Sequence, residues 1–544
     1  MRVRLPFRTV LSCEIGTAEG KPRVEEYALD AVAASAETLI AGSGPLVAML
    51  MSLVAGLAGI TAFEGIEQAA VTGGRELTRL AMQHALDAQA AAEERLPSVT
   101  GADGRARRRA EPGHTRTITT LAGDVTVSRI AYRSGARGVM SLFPRDAALN
   151  LPPLSYSWEL QKLVMMAARE NSYEQAGAFV LAATGVSIAN GQAEKIIAAA
   201  AADAQEFARG PDPGQDPEQE QEQEQEQEPL PLVISADGKG VAVRPDARRA
   251  RARRQDQRTR LFKHRTGTGE KTGTKRMAET AVVFDVAVPD GPRRTPAQLM
   301  HPDPDPRQRP PAPAAVNRWY TCGITAGTAE IITAAFDRAE RRDPRHDRPW
   351  IGLVDGNNHQ IQCFRDEAAA RGITMTILID FIHVTEYIWK LAWCFHRYPD
   401  PAAETWVTAQ LLAILHGDVA GVITLITGLA AKDPPRPGSE HDKIITKTLT
   451  YLTAKQPCLD YPAALDNGWP IATGVIEGAC RHLVHDRMGI TGARWSLPGA
   501  QAILWLRAIN ASGDTSTYWT RHLHHEHQRN HLSHYAPGQL PQAA

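Results

Sequence analysis

The sequence predicts a multidomain α/β protein, in which a mixed sheet carries an all-α insertion and follows a mainly helical N-terminal region. Three observations predict it. Aliphatic runs bounded by proline, Leu232 to Ile234 and Val241 to Val243 first among them, have the make-up of buried strands. Such runs alternate with segments of helical period from there to about residue 383. The Gln-Glu repeat DPEQEQEQEQEQEPLP at 216–231 cannot bury apolar surface, so 211–231 reads as a solvated linker between the two halves.

A chain of 544 residues is too long for one core; ordinary domain sizes suggest about three or four units. The formal net charge of −1 hides local patches. Arg105, Arg107, Arg108 and Arg109 form one basic run, and a longer one extends from Arg244 to Arg276, offset by the acidic repeat. Six cysteines include no CxxC pair, which argues against a zinc ribbon and fits a reducing cytoplasm. From Thr38 to Phe63 there is no charge, and LVAMLMSLVAGLAGITAF is at the lower limit for a spanning helix. It is rich in Ala and Gly and runs without a stop into a charged helix, so no membrane span is expected. The start MRVRLPFRTVLSCE has no adequate apolar region for a signal peptide.

Residues 1–61 remain unassigned. In 62–155 the first part, to about Leu96, is an amphipathic helix that Gly73-Gly74 is expected to interrupt. HTRTITTLAGDVTVSRIAYR then changes period and reads as a β-hairpin turning at Ala122-Gly123-Asp124, its arginines facing either phosphates or solvent. Residues 156–210 read as three helices. Ser172 and Gln175 form a capping box, Thr184-Gly185 a turn, and Ser187 a cap for the next helix. Helix, glycine turn, helix is the helix-turn-helix outline that places a helix in a DNA major groove, and equally the outline of a small helical bundle.

In the second half, PLVISADGKGVAV, MAETAVVFDVAV and RWYTCGI read as strands, AEIITAAFDRAERR as a helix, WIGLVDG as a strand, HQIQCFRDEAAARG as a helix and TMTILIDFIHV as a strand. Three strands, helix, strand, helix, strand is the order of an RNase H-like core, and in that fold the first and fourth strands are neighbours. Residues 232–383 would be its first part, 384–470 an all-α insertion with Trp389, Trp393 and Trp406 in its core, and 471–512 the completing helices. The His-rich ending at 513–544, HLHHEHQRNHLSH within it, reads as a solvated helix end rather than a metal site.

Asp237 and Asp355 end or interrupt the first and fourth strands, and Glu477 falls in the first turn of a later helix. An acid in a core strand needs a partner or a metal, because burying even a neutral polar group without one costs about 2–7 kcal/mol. Two strand aspartates and a helix glutamate form the hard oxygen set of a two-metal phosphoryl-transfer site. Each has an ordinary explanation as well. Asp-Gly is common in turns, and the helix dipole favours a glutamate in a first turn. Asp380, which also ends an apolar strand, is the rival for the second acid. Arg481 and His485 lie one and two helical turns beyond Glu477 and share its face, positioned to hold phosphate, whereas His482 and Arg487 point elsewhere. The loop RRARARRQDQRTRLFKHRTGTGEKTGTKR is expected to order on a phosphate backbone. Arg494-Trp495 has either a base or the core to stack on.

DGKG at 237–240, RMAETAVVFDV, RRDPRHDRPWIGLVDGNNHQI, DFIHVTEYIWKLAWCF, GWPIATGVIEGACRHLVHDRMGITGARWSLPGAQAILWLRA and YWTRHLHHEHQRNHLSHY resemble the ISKra insertion-sequence family of bacterial transposases, relatives of the Mutator-like group. The resemblance runs from about Phe63 to the C-terminus and is most specific around Glu477. It implies a DDE transposase with an RNase H-like domain, whose catalytic and metal-binding triad falls on Asp237, Asp355 and Glu477. It also implies two Mg²⁺ ions, about 3.5–4 Å apart in such sites, with Mn²⁺ as their substitute. Asp380 and His383 match an acid-x-x-His motif and are expected to act behind the ligands. Lys239, Arg244, Lys263, Arg265, Lys275, Arg276, Arg481, His485 and Arg494 are the expected contacts to double-stranded DNA, both terminal inverted repeats and target. A homodimer or higher oligomer that pairs two ends is expected, in the bacterial cytoplasm. A silent DNA-binding regulator derived from such an element, and a metal-dependent nuclease or resolvase, are the alternatives.

Overall fold

A computed structural model describes residues 44–210, 230–249 and 273–538. These fall in two compact units. One holds residues 44–196 and 519–538, and the other residues 197–210, 230–249 and 273–518.

The first unit opens with helix α1 (Gly44–Ala58) and the long helix α2 (Phe63–Ala91). Gly73-Gly74 does not interrupt α2, contrary to the expectation. Its role is packing: a Cβ at Gly73 would meet Leu53 Cδ1 at 2.3 Å, so the missing side chain lets the two helices approach. Among the described residues, no helix is long and apolar enough to cross a membrane. The expected hairpin is present as β3 (Arg109–Thr120) and β4 (Gly123–Arg133), after the two-residue strands β1 (Val99–Thr100) and β2 (Ala106–Arg107). Several of its arginines are spent inside the unit. Arg107 is buried against Asp103, Arg129 pairs with Asp146 and lies over Phe143, and Arg116 donates to the carbonyls of Pro153 and Leu154.

After the one-turn helix α3 (Pro144–Ala148), the helical segment contains four helices rather than three: α4 (Trp158–Glu170), α5 (Tyr173–Thr184), α6 (Asn190–Ala200) and α7 (Ala204–Arg209). The Ser172–Gln175 capping box forms with both its hydrogen bonds, and Gly185 ends α5 in the left-handed region at φ 76°. Ser187 is not a cap, because α6 starts only at Asn190. The C-terminal residues are not a solvated end. Tyr535 is buried with Val99, Tyr132 and Leu142, while His527 and His531 bond the carbonyls of Ala147 and Leu151.

The second unit is built on a five-stranded sheet. Its strands are β5 (Leu232–Ala242), β6 (Lys275–Ala287), β7 (Ala314–Gly323), β8 (Trp350–Val354) and β9 (Met375–Ile379), in the order β7-β6-β5-β8-β9. β6 runs antiparallel to β5 and β7, whereas β5, β8 and β9 are mutually parallel. The first and fourth strands of the unit are therefore neighbours, as expected. β5 is a single strand, since its glycines stay in the ladder with β6.

Helices α8 (Thr328–Arg342) and α9 (Asn358–Arg371) connect the parallel strands, and Phe336 packs edge-on to Phe364 and beside Trp350 in the core. The insertion follows β9 as α10 (Phe381–Phe395), α11 (Ala402–Leu415), α12 (Val419–Lys432) and α13 (Glu440–Lys455). One apolar stretch splits into α11 and α12 because Gly417 takes φ 87° and Asp418 caps the second helix. Trp389, Trp393 and Trp406 are half-buried against the core. The chain then returns through α14 (Gly474–Ala479), a π-helical turn (Cys480–His485) and α15 (Leu497–Ala511), whose Gln501 accepts from the Ile324 amide. Helix α16 (Thr515–Asn530) follows.

Candidate metal centre

β8 and β9 end together while β5 runs on beside β6 to Ala242, and three acids stand at one level across these strands. Ser235 of β5 is in register with Leu353 of β8, and Leu353 with Leu378 of β9. Asp237, Asp355 and Asp380 each lie two residues further on, so all three share one level, just past the ends of β8 and β9 and where β5 leaves its pairing with β8. Loops leave a parallel sheet at these ends and the backbone no longer fills the space, which is where open α/β sheets place their sites.

The acids differ in how they are held. Asp380 is 0 % exposed and fully provided with donors: the Ile382 amide on Oδ1, and His383 Nδ1 at 2.9 Å and Thr473 Oγ1 at 2.6 Å on Oδ2. Asp355 accepts from the Asn357 amide, and Asp237 from the amide of Gly238. Glu477, in the first turn of α14 as expected, is exposed, with Thr473 Oγ1 3.1 Å from its Oε1. A hydroxyl has one proton, and the shorter contact to Asp380 takes it. Glu477 is thereby left with acceptor capacity for another partner.

Among the described residues, no arginine or lysine forms an ion pair with Asp237, Asp355 or Glu477. Asp285 on β6 is the contrast. It is 6 % exposed and engaged by Arg348 and Asn317, the signature of a structural acid. One group here also has metal-ligand spacing. Asp380, His383 and Glu477 offer ligand atoms within 4.8 Å of one another. Asp237 and Asp355 are outside that group, though carboxylate oxygens like theirs and that of exposed Glu477 are the hard donors that suit a divalent cation of the Mg²⁺ kind. Asp380, its oxygens already occupied, instead fixes His383 and Thr473.

Electrostatics bind the cluster together. Burial alone would lower the pKa of His383, but its bond to Asp380, with Asp355 and Glu386 nearby, raises it above the ordinary value. Burial also pushes the Cys480 thiol far up, and the charge of nearby Asp237 pushes the same way. Glu279 is raised by burial and by its neighbour Asp237. It faces Gly238 across the β5–β6 ladder, where a Cβ would come 2.8 Å from its Oε2.

Thr473, Cys480 and Glu279 were not among the residues singled out from sequence. Only Glu279 left a signal there, as an acid at the start of an otherwise apolar strand.

The expected basic residues partly converge. Lys239 and Arg276 share one face of the β5–β6 ladder just beyond Asp237, since Lys239 is opposite Ala278 and Val241 opposite Arg276, whereas Lys275, opposite Ala242, is on the other face. Val243 bridges to Trp495, which brings exposed Arg244 and Arg494 to the same strand end. Lys263 and Arg265, with most of the basic loop, lie outside the described residues. Arg481 and His485 are exposed with Glu477 on one side of their helix. His482 is exposed too, but its ring lies edge-on to Tyr320 of β7 with centroids 5.7 Å apart. Arg487 is buried, its guanidinium 4.7 Å from the Trp495 ring, so that tryptophan is part of the core.

Fold and site together define a class: an α/β protein whose five-stranded mixed sheet gathers uncompensated acids at its parallel strand ends and carries a helical insertion. Compared with known proteins, the chain matches no family model, and no curated protein matches it.

Proposed function

We propose that this chain is a DNA transposase that cleaves and joins strands at the ends of an insertion sequence, using a DDE triad of Asp237, Asp355 and Glu477. The observation that carries the reading is the shared level of Asp237 and Asp355 on neighbouring parallel strands; the contact of Thr473 with both Glu477 and Asp380, the acid at the same level on the next strand, supports it. The sheet order β7-β6-β5-β8-β9, with one antiparallel strand between the first and third, is that of an RNase H-like core and supports the same reading. So does the resemblance of these segments to ISKra transposases.

Asp237, Asp355 and Glu477 would hold the divalent metal, which when bound supplies charge stabilisation at phosphorus and activation of the attacking oxygen. The chain's own residues perform the remaining work. Asp380 orients His383 and Thr473, and the cations at the β5–β6 end and along the Glu477 helix draw in the DNA backbone. Glu477 has an exposed carboxylate on a short helix, so it is open to incoming substrate.

The test is cleavage and joining of a labelled transposon-end duplex with Mg²⁺, comparing the wild type with Glu477→Gln. Wild-type cutting and joining, with a variant that binds but does neither, is the expected result. Cutting without joined products would point to a nuclease or resolvase. Equal binding by both proteins with no cutting in Mg²⁺ or Mn²⁺ would favour a silent DNA-binding regulator.

A further inference from the structure

A cleft of about 570 Å³ opens beside the acids, between the loop after β8 and the helical insertion. Asp355, Asn357 and Asn358 line one wall, with His383 at its end. The other wall is the insertion: Tyr387 of α10 and Lys447, Tyr451 and Lys455 of α13. Nothing in the site described so far uses these insertion residues.

Two donors on that wall lack an adequate acceptor. Lys455 is only 6 % exposed, and its one hydrogen bond goes to the neutral side chain of Asn358. Among the described residues no carboxylate forms an ion pair with it; burial lowers its pKa, against the opposing pull of Asp355 at longer range. The Tyr451 hydroxyl is buried and has no hydrogen-bond partner. Burial pushes its pKa far up, so it remains a donor. An orphaned buried hydroxyl costs free energy that its replacement by phenylalanine would avoid.

The wall is rigidly built. Tyr387 and Tyr451 stack with centroids 4.1 Å apart and planes 12° apart, which leaves the Tyr451 hydroxyl one position. The Lys447 and Lys390 ammonium groups stand over Tyr387, 5.6 and 5.4 Å from its centroid. Lys390 is paired with Glu386, so the cleft itself presents Lys447 and Lys455, two cations against the single carboxylate of Asp355, a balance that favours an entering anion. The acceptor that fits is a phosphate oxygen.

We infer that the cleft is a subsite for one backbone phosphate of a DNA strand next to the reacting one, held by Lys455, the Tyr451 hydroxyl and Lys447. The insertion is then the second wall of the site, not only a structural elaboration. The inference rests on the transposase reading for the identity of the strand.

The test measures binding of fluorescein-labelled single-stranded dT8 to the full-length protein in EDTA across a salt series. Tyr451→Phe is expected to weaken binding roughly tenfold, the worth of a hydrogen bond to a charged acceptor, with the melting temperature of the free protein unchanged or higher. Lys455→Met and Lys447→Ala are each expected to weaken binding and reduce the salt slope by about 0.7, one single-strand phosphate contact. Displacement of dT8 by millimolar inorganic phosphate or dTMP would overturn the strand assignment in favour of a free-phosphate site. Wild-type affinity and slope in Tyr451→Phe and Lys455→Met would overturn the subsite altogether, even if the wild type cuts and joins. Failure of the wild type to cut, with these variants still defective in binding dT8, would sink the transposase reading and leave the phosphate site standing.

Discussion

The Thr473 hydroxyl stands 2.6 Å from the buried carboxylate of Asp380, joining the strand end of β9 to the turn that launches the Glu477 helix. The two residues are 93 positions apart, with the whole helical insertion between them. This bond ties the start of the Glu477 helix to the end of β9.

Thr473→Val keeps the shape and removes the proton donor. Asp380 then loses one of its donors while fully buried, which is expected to cost about 1–3 kcal/mol of stability. Metal affinity should fall roughly 10–100-fold, the usual effect of losing a group that orients a ligand. Thermal unfolding and Mn²⁺ titration check the two effects separately. A variant that matched the wild type in both would show that the Asp380–Thr473 link has no part in positioning Glu477.

His383 carries the pH dependence of the site. Its folded pKa is raised by Asp380, so the pair contributes stability that is fully present below the unfolded value of about 6.5 and is lost as pH rises through the raised folded value. Asp380→Asn removes the raising charge and leaves the burial, so the His383 pKa should drop below the ordinary histidine value. An imidazole titration by NMR in EDTA reads this directly. An unchanged pKa would mean that Asp380 does not hold His383.

The opposite sign is expected in the first unit. His531 is buried, bonded to the Leu151 carbonyl at 2.8 Å, and its pKa is lowered by burial. Its contribution is present above the unfolded value of about 6.5 and lost as pH falls through the lower folded value. Hydrogen exchange of residues 144–151 should accelerate on going from about pH 7.5 to 5.5, beyond the intrinsic chemical change. His531→Gln should flatten that excess; an excess that persisted unchanged would assign it to another group.

Gly352 tests the sheet that sets the acid positions. It lies in β8 between Trp350 and Asp355, and an added Cβ would meet Phe364 Cδ1 at 2.8 Å and Met375 Sδ at 3.1 Å. Gly352→Ala is expected to destabilise by about 1–3 kcal/mol through overpacking. Urea unfolding gives the value, and no loss would mean that α9 is free to move off the sheet.

Much of this protein is legible in its sequence because the signals are local. Aliphatic runs, helical periods and the Ser172–Gln175 box depend on neighbours a few residues away, and they located the strands, most helices and the strand-end positions of Asp237 and Asp355. The first-turn position of Glu477 was readable for the same reason. Other features depended on approach between distant segments, which no local pattern records. Gly73-Gly74 looked like a break until Leu53 was placed against it. The histidines near the C-terminus looked solvated until Ala147 and Leu151 offered carbonyls. That Asp380 and Glu477 share one threonine, 93 positions from the first of them, was not readable at all. Local hydrogen bonding and burial patterns make the elements; only packing decides which polar groups are left without partners, and those are the ones available for chemistry.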